Sequence, residues 1–344
     1  MLLLGGLGTR LRPFTLTTPK SCLPVANVPL IHYQFDLLGR HGIDTVVLAA
    51  SPLCKRYKNL FSMAKSYGIK LYLSCETKPL GTAGGIKNAE KFLKNEEAFF
   101  VFNGDILSDF DLTQMLQFHK KNNADVSIGV VEIDNPGDFG VICIDNESRI
   151  QKFVEKPQVP ESNLINAGIY IIQPEILNEI PSGTVVSIEK ETFPQLISSG
   201  KKIFAYRHSG YWIDVGTIEK YWTANMDVAS GKMKIASGKI PLQKEFVSSF
   251  VHVKGRLITG KNVIFGDNVE IRGTVIIGEH SVIGEGSVIE DSILFKNVFI
   301  GKNSFIKKSI IGNSTIVGEN CELKDFAIAD NSHLCPFTKM IGAR

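Results

Sequence analysis

The 344-residue chain has no apolar run of the roughly 18 residues that a membrane-spanning helix needs. Its N-terminus has no charged segment ahead of a long apolar core, so no secretory signal is expected. Charge of one sign is scarcely in excess: 38 Lys+Arg against 35 Asp+Glu leave +3, too little to argue for nucleic acid as a partner. Cysteine is sparse. Cys22, Cys54, Cys75, Cys143, Cys321 and Cys335 are scattered with no CxxC pair, which argues against a zinc site and a disulfide framework. A reducing, cytoplasmic setting is the simplest expectation. There is no Gly-Lys-Ser/Thr, so no P-loop. A dinucleotide fingerprint also fails. Leu11 stands where its third glycine belongs, and Leu48-Ala49-Ala50 ends the second strand without a carboxylate.

What the chain does have is Gly5-Gly6-Leu7-Gly8-Thr9-Arg10-Leu11-Arg12-Pro13, closed by Pro19-Lys20. It follows Leu2-Leu3-Leu4, a first strand shorter than the usual five or six or so residues. Glycines let backbone approach a ligand without Cβ obstruction, and their N–H groups can converge on phosphate oxygens. Arg10, Arg12 and Lys20 add positive charge to the same loop. Arg12 reads equally well as a solvated arginine. The combination points to a nucleoside triphosphate held through its phosphates.

Residues 1 to about 225 alternate strand and helix signals. Helices are expected at 30–41, 55–66, 82–93 and 112–121, with strands at 45–50, 70–74, 98–102, 125–131 and 140–144. Such alternation predicts a largely parallel, Rossmann-like sheet covered by helices, with ligands at the carboxyl ends of its strands. Both the glycine loop and Asn103-Gly104-Asp105 fall at such ends. From about residue 255 the period changes to six. Phe265, Ile271, Ile277, Ile283, Ile289, Leu294, Ile300, Ile306, Ile311, Val317 and Leu323 recur at that step, shortened to five at two places. A hexapeptide period marks a parallel β-helix. Three segments are expected: a catalytic domain at 1–225, a linker at 226–254 and a β-helix of about four coils at 255–344.

The glycine loop resembles the signature of the sugar-1-phosphate nucleotidyltransferases. The resemblance continues in family order through Pro79-Leu80-Gly81-Thr82-Ala83-Gly84, Asn103-Gly104-Asp105, Phe153-Val154-Glu155-Lys156-Pro157, Asn166-Ala167-Gly168-Ile169-Tyr170 and Trp212-Ile213-Asp214-Val215-Gly216. The Glu-Lys-Pro and Asn166 stretches, and Ser187-Ile188-Glu189-Lys190-Glu191, look most like the branch that transfers guanylyl groups to mannose 1-phosphate. It implies a left-handed β-helix after the catalytic domain, with self-association through that β-helix.

The implied reaction joins a sugar 1-phosphate to an NTP and releases pyrophosphate, with positioning and electrostatics carrying the rate. Asp105, a carboxylate after a buried strand, suits a Mg²⁺ ligand. The resemblance adds Asp214 as the second ligand. It gives Arg10 the charge developing as pyrophosphate departs, with Gly5, Gly6, Gly8, Thr9, Lys20, Gly81 and Thr82 around the nucleotide. It assigns Lys156 to the sugar's phosphate, and Glu155, Asn166 and Gly140 to the sugar. It places Glu76 at the base edge. A carboxylate accepts from both N1–H and the N2 amino group of guanine, so GTP is favoured over the other NTPs. Two departures stand out: Val28 replaces the lysine usual before Pro29, and Ser21-Cys22 replaces a proline and a small residue. Cys22 reads as a packed thiol. Thymidylyl, uridylyl or adenylyl transfer to glucose 1-phosphate, and guanylyl transfer to a heptose 1-phosphate, remain open alternatives. A regulatory subunit sensing nucleotide sugar is the non-enzymatic one. Acyl transfer by the β-helix would need His280 or His333 as base and a longer array.

Overall fold

In the computed structural model, which describes residues 1–6, 8–50, 57, 59–233, 235 and 251–342, the N-terminal apolar run forms β1 (Leu2–Leu3). There follow a hairpin of β2 (Pro24–Val25) and β3 (Val28–Pro29), then α1 (Leu30–Arg40), β4 (Thr45–Ala50), α2 (Leu60–Ser66) and β5 (Lys70–Cys75). Next come α3 (Gly81–Asn88), α4 (Glu90–Leu93), β6 (Phe99–Asn103), β7 (Ile106–Ser108), α5 (Leu112–Lys121), β8 (Val126–Glu132) and β9 (Gly140–Ile144). β10 (Ile150–Glu155), β11 (Leu164–Ile172), a π-helical turn (Ile188–Thr192), α6 (Phe193–Ser198), β12 (Ile203–Arg207), β13 (Trp212–Asp214) and α7 (Ile218–Ser230) lead to the repeats. The expected strands and most of the expected helices up to residue 144 appear within a residue or two. The single helix expected at 82–93 breaks at Ala89 into α3 and α4, and the start of the one expected at 55–66 cannot be compared, because residues 51–56 and 58 lie outside the described residues. Sequence signals end the helices as they should. Asp111 caps α5 by accepting from the Gln114 N–H (2.9 Å), and Thr217 caps α7 while Gly231 closes it at φ 81°.

Two compact units emerge, and each interleaves the chain. The first comprises Met1–Gly6 and Gln34–Trp212. Its sheet runs β10-β9-β11-β6-β1-β4-β5, with β8 and β12 attached through β11. The β6-β1-β4-β5 end is parallel, Leu2 pairing with both Leu48 and Phe102, while β11 runs antiparallel to β6. Buried Val47, Val101, Ile128, Tyr170, Ile172 and Phe193 belong to one apolar core on this sheet. Leu3 lies opposite Asn103, so the loops after β1 and β6 leave from adjacent strands at one edge. Gly104 permits this approach: a Cβ there would lie 2.6 Å from the Leu3 carbonyl oxygen.

The second unit comprises Leu7–Tyr33 and Ile213–Arg344. Its repeats stack as parallel strands in five coils, one more than expected from the period. The additional coil opens at Val251, ahead of the first recognisable hexad, and pairs with the next from Val251↔Val269 to Thr259↔Ile277. The expected linker overlaps α7 at one end and this strand at the other, and 236–250 lie outside the described residues. The periodic residues from Ile271 to Leu323 point inward and are fully buried, whereas Phe265 is only partly so. The two five-residue steps have a local cause. Gly273 takes an extra residue through a corner at φ 64°, where later coils turn on Asp291 and Lys308, both at φ 45°. His280 is another left-handed corner residue (φ 59°) whose ring nitrogen meets Asn262, which fits a turn rather than a catalytic base.

From Gly8 onward the glycine loop belongs to this unit, whereas Gly5 and Gly6 belong to the first. Phe14 is buried between Phe295 of the β-helix and Tyr221 of α7, with centroids 5.1 and 6.2 Å away. Thr17 donates to Asp330 (2.6 Å), Asn27 to the Ile277 carbonyl (2.8 Å), and Trp222 to the Asp291 carbonyl (3.0 Å). Buried Asn225 of α7 accepts from the Ala26 N–H (2.8 Å). Among the cysteines, Cys22, Cys143, Cys321 and Cys335 are free, but Cys75 at the end of β5 is disulfide-bonded. Spacing did not suggest that bond, because pairing depends on Cα approach in space.

Candidate active site

Within the second unit the loop is built so that its apolar residues anchor and its basic ones face outward. Leu11 and Phe14 are buried, while Thr9, Arg10 and Arg12 are exposed. Gly8 sits at φ 61°, with its carbonyl taking the Thr15 hydroxyl (2.7 Å). A Cβ on Gly8 would meet Thr15 Cγ2 at 2.9 Å and Lys20 Cβ at 3.3 Å, so glycine lets the Lys20 segment close on the loop. Asp214 and Arg10 converge at Gly216, where a Cβ would lie 3.0 Å from Asp214 Oδ2 and 3.3 Å from Arg10 Nη2. Sequence reasoning missed Lys220. Its Nζ bonds Asp214 Oδ1 at 2.5 Å, because the Thr217 cap starts α7 just after the Asp214 strand. The only signal was a lysine in the first turn after Trp-Ile-Asp-Val-Gly.

Within the first unit, Gly5 and Gly6 are exposed, and a Cβ on either would meet nothing within 4 Å. Packing therefore does not demand glycine there, which is what a ligand-facing backbone needs. Asp105, half-buried, follows β6. Glu76 is 7% exposed, so it is no solvated strand-end residue. Burial raises its proton affinity, and an N–H from Leu80 to Oε2 (3.2 Å) partly offsets this. Gly81 begins α3 at φ 75°, and a Cβ would lie 2.5 Å from the Val186 carbonyl oxygen. Thr82 donates to Glu189 (2.8 Å) and accepts the Ile188 N–H (2.8 Å).

The sugar candidates also gather in this unit. Gly140 and Glu155 are register partners on β9 and β10, and a Cβ on Gly140 would lie 2.9 Å from Glu155 Oε2. Lys156 is held at φ 52° by its N–H on the Phe139 carbonyl (2.9 Å). Left-handed backbone is uncommon for lysine, more so before proline, and such strain concentrates at functional positions. Asn166 donates to the Tyr170 hydroxyl (2.8 Å) and accepts from the Gly168 N–H (2.9 Å). Burial, then the Glu189 charge, raises the proton affinity of Glu155, while Lys156 and Lys190 oppose this. Trp212 donates to the Ala167 carbonyl (2.9 Å).

Among the described residues no three His, Cys, Asp or Glu side chains cluster as a metal site. The carboxylates that the sequence offers as donors are Asp105, in the first unit, and Asp214, in the second, where it also bonds Lys220. One or two carboxylates, with water and substrate phosphates completing the shell, is the pattern of a hard divalent cation held at a phosphate site. The donor chemistry fits such an ion.

Residues 1–231 match the nucleotidyl transferase family, and residues 253–334 match the GMPPB C-terminal domain. The chain belongs to the nucleotidyl transferase family, whose members generally use a divalent metal. Its relatives narrow the class. It is 39% identical over 232 residues to the mannose-1-phosphate guanylyltransferase of Mycobacterium tuberculosis, covering 67% of this chain and 64% of that protein. It is 37% identical over 271 residues to mannose-1-phosphate guanylyltransferase 1 of Arabidopsis thaliana, covering 78% and 73%. The crystal structure of HddC from Yersinia pseudotuberculosis complexed with GMP-PN is 27% identical, with a TM-score of 0.58 over 66% of this chain and 97% of that one. The chain thus spans about two thirds of the length of the mycobacterial relative.

Proposed function

We propose that the chain is a mannose-1-phosphate guanylyltransferase, forming GDP-mannose and pyrophosphate from GTP and mannose 1-phosphate. The observation that carries this reading is the Gly8–Lys20 loop, with Thr9, Arg10 and Arg12 exposed and Arg10 and Asp214 both bordering Gly216, in a chain whose relatives carry that name. A phosphate oxygen of the sugar 1-phosphate attacks the α-phosphorus of GTP. That P–O bond forms as the bond to the β-phosphate breaks, and pyrophosphate leaves with the electron pair. The N–H groups of Gly5, Gly6, Gly8 and Thr9, with Arg10 and Lys20, neutralise the triphosphate. Gly81 and Thr82 border the nucleoside. Glu76 has remaining lone pairs to accept from the guanine edge. Lys156 holds the sugar phosphate, and Glu155, Asn166 and Gly140 take the hydroxyls. Asp105 and Asp214 would hold Mg²⁺, which would lower the repulsion between the two phosphate groups.

In this reading residues 1–225 form the catalytic domain and 226–254 the linker. The β-helix, expected from 255 and opening at Val251, carries self-association in the cytoplasm. No helix among the described residues is long and apolar enough to cross a membrane. The test is pyrophosphate release with Mg²⁺, crossing GTP, dTTP, UTP, ATP and CTP against mannose 1-phosphate and glucose 1-phosphate. Release confined to GTP with mannose 1-phosphate supports the reading. Release with another pair refutes the Glu76 argument, and none with any pair refutes the enzymatic assignment.

A further inference from the structure

We propose that Glu189 is a positioning residue that ties the nucleotide end of the site to its sugar end. The inference rests on the reading above. Glu189 lies on the π-helical turn at Ile188–Thr192, a rare geometry often found at functional sites. This turn packs against both α3, which opens with Gly81-Thr82, and β10, which ends with Glu155. One short element therefore touches both halves of the proposed site.

The contacts are specific. Glu189 Oε2 accepts from Thr82 Oγ1 (2.8 Å) and from Ser187 Oγ (3.0 Å). Thr82 Oγ1 in turn accepts the Ile188 N–H, so its rotamer is set from both sides. The Val186 carbonyl takes the N–H groups of Ala83 (3.0 Å) and Gly84 (3.3 Å), fixing the start of α3 to the same segment. At the other end, Glu189 is a like charge acting on half-buried Glu155 and on the Tyr170 hydroxyl that Asn166 contacts. Glu155 is faced by Glu189 and Lys190 from the turn, with Lys156 beside it. Among the described residues Glu189 forms no ion pair that would quench its charge. Neither substrate has to touch Glu189 for it to act. Its oxygen orients the threonine beside the nucleoside, and its charge keeps Glu155 a stronger acceptor for sugar hydroxyls.

The experiment compares initial rates for wild type, Glu189→Ala, Glu189→Gln, Thr82→Val and the Thr82→Val/Glu189→Ala double variant. Loss of one charge-assisted hydrogen bond predicts a rise in the GTP KM of roughly tenfold for Glu189→Ala. Thr82→Val should reproduce it, and the double variant should be no worse. Glu189→Gln keeps an acceptor for Thr82 and should restore the GTP KM. Having lost the charge, it should move the acid limb of kcat/KM for mannose 1-phosphate to lower pH, because Glu155 then ionises earlier. Additive single variants, a glutamine variant as impaired for GTP as the alanine one, or an unmoved acid limb would each overturn the inference. Wild-type protein that releases no pyrophosphate refutes the underlying reading instead, so the two failures are distinct.

Discussion

Replacing Phe295 by alanine tests whether the β-helix supports the phosphate loop or merely follows it. Phe295 is 3% exposed and packs at 5.1 Å from Phe14 of the loop and 6.2 Å from Tyr221. Phe14 is the main apolar anchor between Arg10 and Lys20. Truncating a buried phenylalanine to alanine costs about 3–5 kcal/mol, including the cavity. An aromatic pair adds about 0.5–1.5 kcal/mol beyond area, already contained in such values. Phe295→Leu keeps most of the volume and should cost about 1.5 kcal/mol. Urea midpoints give the stability, and the GTP KM at a temperature where all variants stay folded gives the consequence. The alanine variant should lower the midpoint clearly and raise the GTP KM by about tenfold or more, as the loop loses one wall. The leucine variant should fall between. If Phe295→Ala unfolds within about 1 kcal/mol of wild type, the burial argument fails. If it is destabilised but its GTP KM is unchanged, the β-helix does not position the loop.

Two further tests address glycine and pH. Gly5→Ala adds a Cβ with nothing within 4 Å, whereas Gly81→Ala adds one at φ 75° and 2.5 Å from the Val186 oxygen. The first should leave the urea midpoint unchanged yet raise the GTP KM; the second should destabilise by about 2 kcal/mol or more. Buried His119, bonded to Ser127 (2.9 Å) and Gln173 (3.0 Å), has its pKa lowered by burial from 6.5 to about 4. The unfolded chain therefore takes up the proton first as pH falls. Stability should be full above pH 6.5 and decline towards about pH 4 by up to about 3 kcal/mol. Urea midpoints across that range should flatten in His119→Asn; an unchanged slope would refute the assignment.

Much of this protein could be read from its residues in order. The inward positions of the β-helix, the strand and helix segments to residue 144 and the glycine loop are local patterns. A period of six, an apolar run or a cap-and-stop pair needs only near neighbours to declare itself. The family resemblance supplied the candidate residues, and some come together in the structure: Gly140 and Glu155 are register partners, and Arg10 and Asp214 both border Gly216. Other features had no local signal. The fifth coil begins in a segment without hexad glycines, and the Cys75 bond depends on approach in space. Lys220 reaches Asp214 only because Thr217 starts a helix between them. Glu189 meets Thr82 across 107 positions, and Phe14 meets Phe295 across a still longer span. Periodicity and turn chemistry thus determined the elements, because those depend on neighbours along the chain. Which element holds the Gly8–Lys20 loop, and which carboxylate meets Thr82, was decided only by tertiary packing, where residues far apart share one small volume.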